Sequence, residues 1–425
     1  MIRPNLHLPA LAVAFCFVTA TSASAAPKDW PQWRGPNRDG ISAEKGLLKQ
    51  WPSDGPPLAW RVKGVGRGMS SVVIANGLIY TQGVRNKGSG GIWVTALDVK
   101  DGLERWSAFA FNGSDVNGAP TVDGKRLYVV GVAGDIACLD ALTGEPVWKK
   151  SYARDFPGSP KPNWGFSEAP LVDGDRLICI PGAPDAGIVA LNKATGDVVW
   201  KSAIPNQGGG HAGAGYTGVV ISNGGGVKQY VTLMGHGLVG VRASDGKFLW
   251  GYKRVANGTA SIPTPIIKGD HVFASSGYGT GAALIKLERA GDGVKASEVY
   301  FLSGNEAQNH HGGMVLVGDH VYFGSGHNNG FPTCVEFLTG KVAWGKERAP
   351  GSGSAAIVFA DGNLYFRYED AKMALIEATP KGYNLKGSFP LASKNGQSWP
   401  HPVIHDAKLY IRDQDVLLCY DVKAK

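Results

Sequence analysis

Asp140-Ala141-Leu142-Thr143-Gly144-Glu145-Pro146-Val147-Trp148 is one copy of a pattern that returns along the whole chain. An apolar run, Cys138-Leu139-Asp140, meets a turn at Thr143-Gly144, and a second run ends on Trp148. The pattern repeats as Ala96-Leu97-Asp98 to Trp106, Ala190-Leu191-Asn192 to Trp200, Gly240-Val241-Arg242 to Trp250, and Cys334-Val335-Glu336 to Trp344. Upstream of each copy lies a hairpin signal. Apolar runs flank Asn76-Gly77, Asp123-Gly124, Asp173-Gly174, Gly269-Asp270, Gly318-Asp319, Asp361-Gly362 and His405-Asp406. A longer turn at 223–226 serves the same place in another copy. Steps of this kind between alternating apolar runs are strong turn signals.

Each unit is therefore four short antiparallel strands. The Trp residues recur about every 42 to 52 positions, the period of propeller blades. Two units, Pro265–Leu302 and Ala355–Phe389, lack the Thr-Gly turn but keep the first hairpin. The last unit stops before its fourth strand, while a stray strand, Leu58-Ala59-Trp60-Arg61-Val62, precedes the first. That strand is expected to complete the last blade and leave no open edge. The fold expected is all-β: an eight-bladed propeller over 57–425, about 46 residues per blade.

Residues 26–56 form a Trp- and Pro-rich leader. Residues 1–25 read as a signal peptide: Arg3, an apolar run from Leu8 to Thr19, and Ala23-Ser24-Ala25 before the expected cleavage. The run is too short to span a bilayer. An exported protein with no membrane span follows, located in the periplasm or an equivalent space. Net charge is +8, but the basic residues are scattered, which excludes a nucleic-acid arm. With Cys16 in the expected signal peptide, Cys138, Cys179, Cys334 and Cys419 remain. Three of them hold the same place in separate blades, so small buried thiols are expected rather than disulfides.

The stretch Asp-x-x-Thr-Gly-x-x-x-Trp resembles the Trp-docking repeat of the pyrroloquinoline-quinone (PQQ) propellers. That superfamily includes quinoprotein alcohol dehydrogenases and the cofactor-free propeller of the outer-membrane barrel assembly machinery. The leader Asp29-Trp30-Pro31-Gln32-Trp33-Arg34-Gly35-Pro36 is similar to the opening of exported single-propeller proteins. The resemblance implies that Trp60, Trp106, Trp148, Trp200, Trp250 and Trp344 pack between blades.

In a propeller, the loops leading into the innermost strands open on the central channel. They carry Arg67, Trp164, Glu168, His211, Tyr216, Asn309, His310, His311, Trp399 and His401, the candidate ligand-binding set. Filling of the channel by these side chains is the competing expectation. No zinc spacing is present. His310 and His311 are adjacent on an extended segment and should point to opposite sides. Calcium held through Glu168 and Asn309 is the remaining metal candidate. Enzymes of the resembling family imply a vicinal Cys pair, an Asp-bearing loop in the fifth blade, and in some a Cys-x-x-Cys-His haem motif; none occurs here. There is no Gly-x-Ser-x-Gly elbow and no phosphate loop. The expected function is a non-catalytic binding or scaffold protein of the cell envelope, monomeric, with no catalytic residues, no metal and no cofactor. Its partners would be envelope proteins or a small-molecule ligand. The alternative is a small quinoprotein oxidoreductase using PQQ with Ca2+, acting on an alcohol or sugar, with Glu168 as the base.

Overall fold

The computed structural model describes residue 1 and residues 29–86, 90–159, 162–347, 350–397 and 399–425. The expected signal peptide lies outside the described residues apart from Met1. Eight sheets form the eight blades of a propeller, seven of them four-stranded and antiparallel and one carrying a fifth, parallel strand. Blades one to seven run in chain order, with innermost strands beginning at Val73, Thr121, Leu171, Val220, Ile266, Asn309 and Ala355. Blade eight takes three strands from Val403–His405, Lys408–Asp413 and Val416–Asp421, and its fourth from Leu58–Lys63. Trp60 then pairs opposite Cys419, so the two ends of the chain close one sheet.

The docking pattern has a local cause. In blade two, the Asp140 carboxylate accepts from the backbone N–H of Leu142 at 2.9 Å and of Thr143 at 3.1 Å, folding the turn. Gly144 completes it at φ +79°, where a side chain is strained. One residue before each docking position the fourth strand bulges, Pro146 facing Leu139 and Trp148 facing Cys138. The Trp sits opposite a small residue: Ala96, Cys138, Ala190, Gly240, Cys334 or Cys419. In three blades the indole N–H crosses to the next blade, from Trp106 to the Ala141 carbonyl at 3.2 Å, from Trp148 to the Lys193 carbonyl at 3.1 Å and from Trp344 to the Thr379 carbonyl at 2.8 Å, whereas Trp250 donates to Gln229 of its own blade. The turn glycine of that next blade lies under the ring; a Cβ on Gly144 would sit 2.6 Å from Trp106.

The two irregular blades solve the same problem differently. In blade five Tyr300 takes the docking position and donates its hydroxyl to the Phe337 carbonyl at 2.7 Å. In blade seven the position is Gly387, and Trp51 of the leader lies over it, its backbone N–H bonded to the Lys386 carbonyl at 2.9 Å. Cys138, Cys179, Cys334 and Cys419 are buried free thiols. No helix among the described residues is long and apolar enough to cross a membrane.

The leader does not hang beside the propeller. Trp30 exchanges backbone hydrogen bonds with Ile74 of blade one, and the Pro31 carbonyl accepts from Val122 of blade two at 2.7 Å. The buried Arg38 guanidinium donates to the carbonyls of Ala169 at 2.6 Å and Pro170 at 3.1 Å in blade three. Trp33 donates to the Thr264 hydroxyl in blade five at 3.0 Å, and Arg34 to the Met314 carbonyl in blade six. Ile41-Ser42 adds a parallel strand to blade seven, and Glu44 accepts from Ala407 of blade eight at 2.6 Å. These contacts carry the leader across the channel from blade one to blade eight, where it forms a floor.

Candidate functional site

Above this floor, on the side of the loops leading into the innermost strands, lies a cup of about 320 Å³. All eight blades and the leader contribute to its wall. Trp33 reaches it from the leader side. Of the ten candidate residues, the structure brings together Trp164, Tyr216, His310, His311, Trp399 and His401. Arg67, Glu168, His211 and Asn309 do not line it. Arg67 turns outward and donates to the Ser114 carbonyl at 2.7 Å. Asn309 is buried with its amide on the Gly324 carbonyl at 3.0 Å. His211 bonds the neighbouring Ala212 carbonyl at 3.0 Å and packs beside Tyr216.

Glu168 is buried behind the wall of blade three, where it accepts from the Tyr152 hydroxyl. Burial pushes its carboxyl up to about 7, opposed by hydrogen bonds from Tyr152 and the Ile180 backbone and by the Arg38 charge. It cannot serve as a base on a ligand in the cup, and it shares no ion with Asn309, which is fixed in blade six. Among the described residues no group of three or more His, Cys, Asp or Glu is placed to hold a metal.

His310 and His311 depart from the flat-strand expectation. Their rings are 4.0 Å apart and both face the cup. The cause is Gly312-Gly313. The pairing slips between Asn309 and Met314, and Gly313 takes φ +72°, so the segment bulges instead of alternating. Side chains are excluded here, since a Cβ on Gly312 would meet the Ala355 carbonyl and one on Gly313 the Arg34 guanidinium.

The imidazoles form a network. His310 Nδ1 meets the Ser354 hydroxyl at 2.7 Å and Nε2 the Tyr278 hydroxyl at 3.0 Å. His401 Nε2 donates to the His311 carbonyl at 3.1 Å, and its ring packs 4.4 Å from Trp33. Burial, then the nearby His327, drives His310 down to about 3; burial, then Arg34, does the same to His401. Burial also holds His311 well below the usual imidazole range. All three are neutral at pH 7. Glu369 accepts from the Trp399 indole and from the Ser354 backbone N–H at 3.1 Å, and lies 3.4 Å from His311 Nε2. With His311 neutral, that last contact is no ion pair.

Trp33, Tyr278, Asn328 and Glu369 belong to the cup but not to the candidate set. Tyr278, Asn328 and Glu369 sit in loops between the second and third strands of their blades, which open on the same mouth. That geometry was the available signal. Trp33 was visible only as part of the leader motif.

PQQ, which the fold family suggests, does not fit this donor set. It is a flat tricarboxylate, and no lysine or arginine is among the described lining residues. The histidines are neutral, and Glu369 would oppose the ligand's charge.

Comparison with known proteins places these features. The family described as outer membrane protein assembly factor BamB matches residues 90–346, more than half of the chain. Among curated relatives, BamB of Aliivibrio fischeri is 49% identical over 39 residues, 9% of this chain and 10% of that protein. BamB of Xanthomonas campestris is 30% identical over 88 residues, 21% of each chain. A quinoprotein ethanol dehydrogenase of Pseudomonas aeruginosa is 33% identical over 95 residues, 22% of this chain and 15% of that protein. The matched stretches thus span between 10% and 21% of those relatives' length. Among solved structures, BamB from Moraxella catarrhalis superposes with a TM-score of 0.61 at 14% identity, covering 87% of this chain and 98% of that one. A quinohemoprotein alcohol dehydrogenase from Comamonas testosteroni gives 0.65 at 15%, covering 95% and 82%. At such identities the likeness is one of fold.

Proposed function

The chain belongs to the family described as outer membrane protein assembly factor BamB, and from that premise we propose that it is a non-catalytic binding propeller of the cell envelope. The cup is its ligand site. The observation that carries this reading is the cup itself: a pocket floored by the protein's own leader and lined by aromatic rings and neutral imidazoles. The quinone chemistry of the alternative needs a cation at the cofactor and a carboxylate free to take a proton. Glu168 is sealed behind the wall, and Glu369 is held by Trp399 and Ser354. A family of envelope-assembly proteins also supports export to the periplasm or an equivalent space, with envelope proteins as further partners.

The test is a thermal melt of the mature chain with and without PQQ plus calcium, paired with dye-linked oxidation of alcohols and aldoses. The expected result is an unchanged midpoint and no oxidation. A ligand that binds only the folded state at a hundred times its Kd stabilises by about 2.7 kcal/mol, so cofactor binding would be visible. A clear rise in midpoint with turnover would replace this reading with the quinoprotein one.

A further inference from the structure

We propose that the cup is a receptor for an alkylated ammonium group, a quaternary ammonium above all. This rests on the reading of the cup as a ligand site and names its ligand class. Five rings, Trp33, Trp164, Tyr216, Tyr278 and Trp399, line the cavity from separate elements. Trp164 and Trp399 stand edge to face, their centroids 6.1 Å apart. Ring faces carry partial negative charge and attract cations. Glu369 is the sole carboxylate among the described lining residues, and no lysine or arginine joins it. Three guanidinium groups lie behind the lining and are turned to backbone carbonyls: Arg34 behind Gly313, bonded to Met314 and Asp39, Arg38 behind Gly218, bonded to Ala169 and Pro170, and Arg367 in the wall, bonded to Pro400 at 2.8 Å. The histidines add no positive charge at neutral pH, because burial keeps them unprotonated. The exposed lysines and arginines that make up most of the chain's +8 act from outside and are screened beyond about 8 Å at physiological salt.

The polar lining groups decide between a cation and a sugar. They are bonded mostly to one another. Asn117 donates to the Trp164 carbonyl at 2.8 Å and the Ser167 hydroxyl at 3.1 Å. The Thr264 hydroxyl accepts from Trp33, and the Ser71 hydroxyl from the His401 backbone at 2.9 Å. Both ring nitrogens of His310 are engaged. A polyol entering this cup would bury hydroxyls with few free partners, which is costly. A quaternary ammonium has no N–H to satisfy. It asks only for aromatic rings and one carboxylate, and both line the cup.

The experiment is calorimetric titration of the full mature chain with tetramethylammonium and choline. The controls are glucose and 3,3-dimethylbutan-1-ol, the uncharged isostere of choline. Saturable binding of both cations is expected, with neither control competing. Glu369→Gln should weaken it about tenfold. Trp164→Ala, at an exposed rim position, should weaken it about three- to thirtyfold without moving the melting midpoint. Absence of saturable cation binding would overturn the proposal, as would equal binding of the uncharged isostere or of glucose. The two failures are separable: loss of this proposal alone leaves the PQQ melt unchanged, whereas a PQQ-dependent rise in midpoint removes the underlying reading as well.

Discussion

Buried titratable residues of the wall give the protein a pH signature. His310 and His401 are held near 3 in the folded chain, and His311 is also held low, while unfolded imidazoles titrate near 6.5. The unfolded state therefore binds more protons below that point, and stability falls as pH drops through 6.5. Glu168 acts in the opposite sense. Folded, it keeps its proton up to about 7; unfolded, it releases it near 4.5, so stability falls as pH rises through that window. Three imidazoles outweigh one carboxyl, and the melting midpoint should peak near neutrality and fall in acid. Glu168→Gln removes an opposing group, so its midpoint should fall more steeply between pH 6.5 and 4.5 than the parent's. Parallel profiles for the two proteins would show that Glu168 titrates normally. The Gln amide keeps an oxygen for the Tyr152 hydroxyl, which limits other damage.

Blade elements were the most legible part of the sequence, and docking shows why. Turn chemistry and Trp spacing are local, so Asp140 to Trp148 could be read as two strands and a turn without any tertiary information. What failed was local geometry that depends on distant partners. His310 and His311 share a side because Gly312-Gly313 must make room for Ala355 and for Arg34, residues far along the chain. Blade seven looked degenerate because its docking ring, Trp51, comes from outside the blade. Six of the ten candidate residues face the cup; Arg67, Glu168, His211 and Asn309 missed because a loop position fixes the mouth but not the rotamer. The docking geometry also yields a paired test. Gly144→Ala forces a side chain at φ +79° into the Trp106 ring and should cost about 2 kcal/mol or more. Gly124→Ala has φ +56° but open space, and should cost about 1 kcal/mol. Denaturant unfolding of both checks this; equal losses would mean that the ring does not constrain the turn.

At the scale of the whole molecule, the propeller and its end-to-end closure were legible from the missing fourth strand of the last unit. The leader's course was not, because nothing in its own periodicity says that it crosses a channel. A chain starting at Pro57 keeps the closing strand Leu58–Lys63 but loses Trp33, Arg34 and Arg38 from the floor. It should retain a β-rich circular dichroism spectrum, melt at a clearly lower temperature, and bind a hydrophobic dye at the unsealed mouth. An unchanged midpoint would show that the floor is dispensable to the fold. Burial of charged Arg34 and Arg38 argues against that outcome, because Arg34 is satisfied by the Met314 carbonyl of blade six and the leader's own Asp39 carbonyl, and Arg38 by the Ala169 and Pro170 carbonyls of blade three.

The leader's path also sets an order of events during synthesis. Glu44 leaves the ribosome early, yet its partners at Asp406 and Ala407 are made only 362 and 363 residues later. Until then the segment has a sill to cross and no far jamb to reach. The floor of the cup is therefore among the last features to form, and a stalled or clipped product lacks it. Occupancy of the cup would then depend on blade eight having been made and the ring having shut.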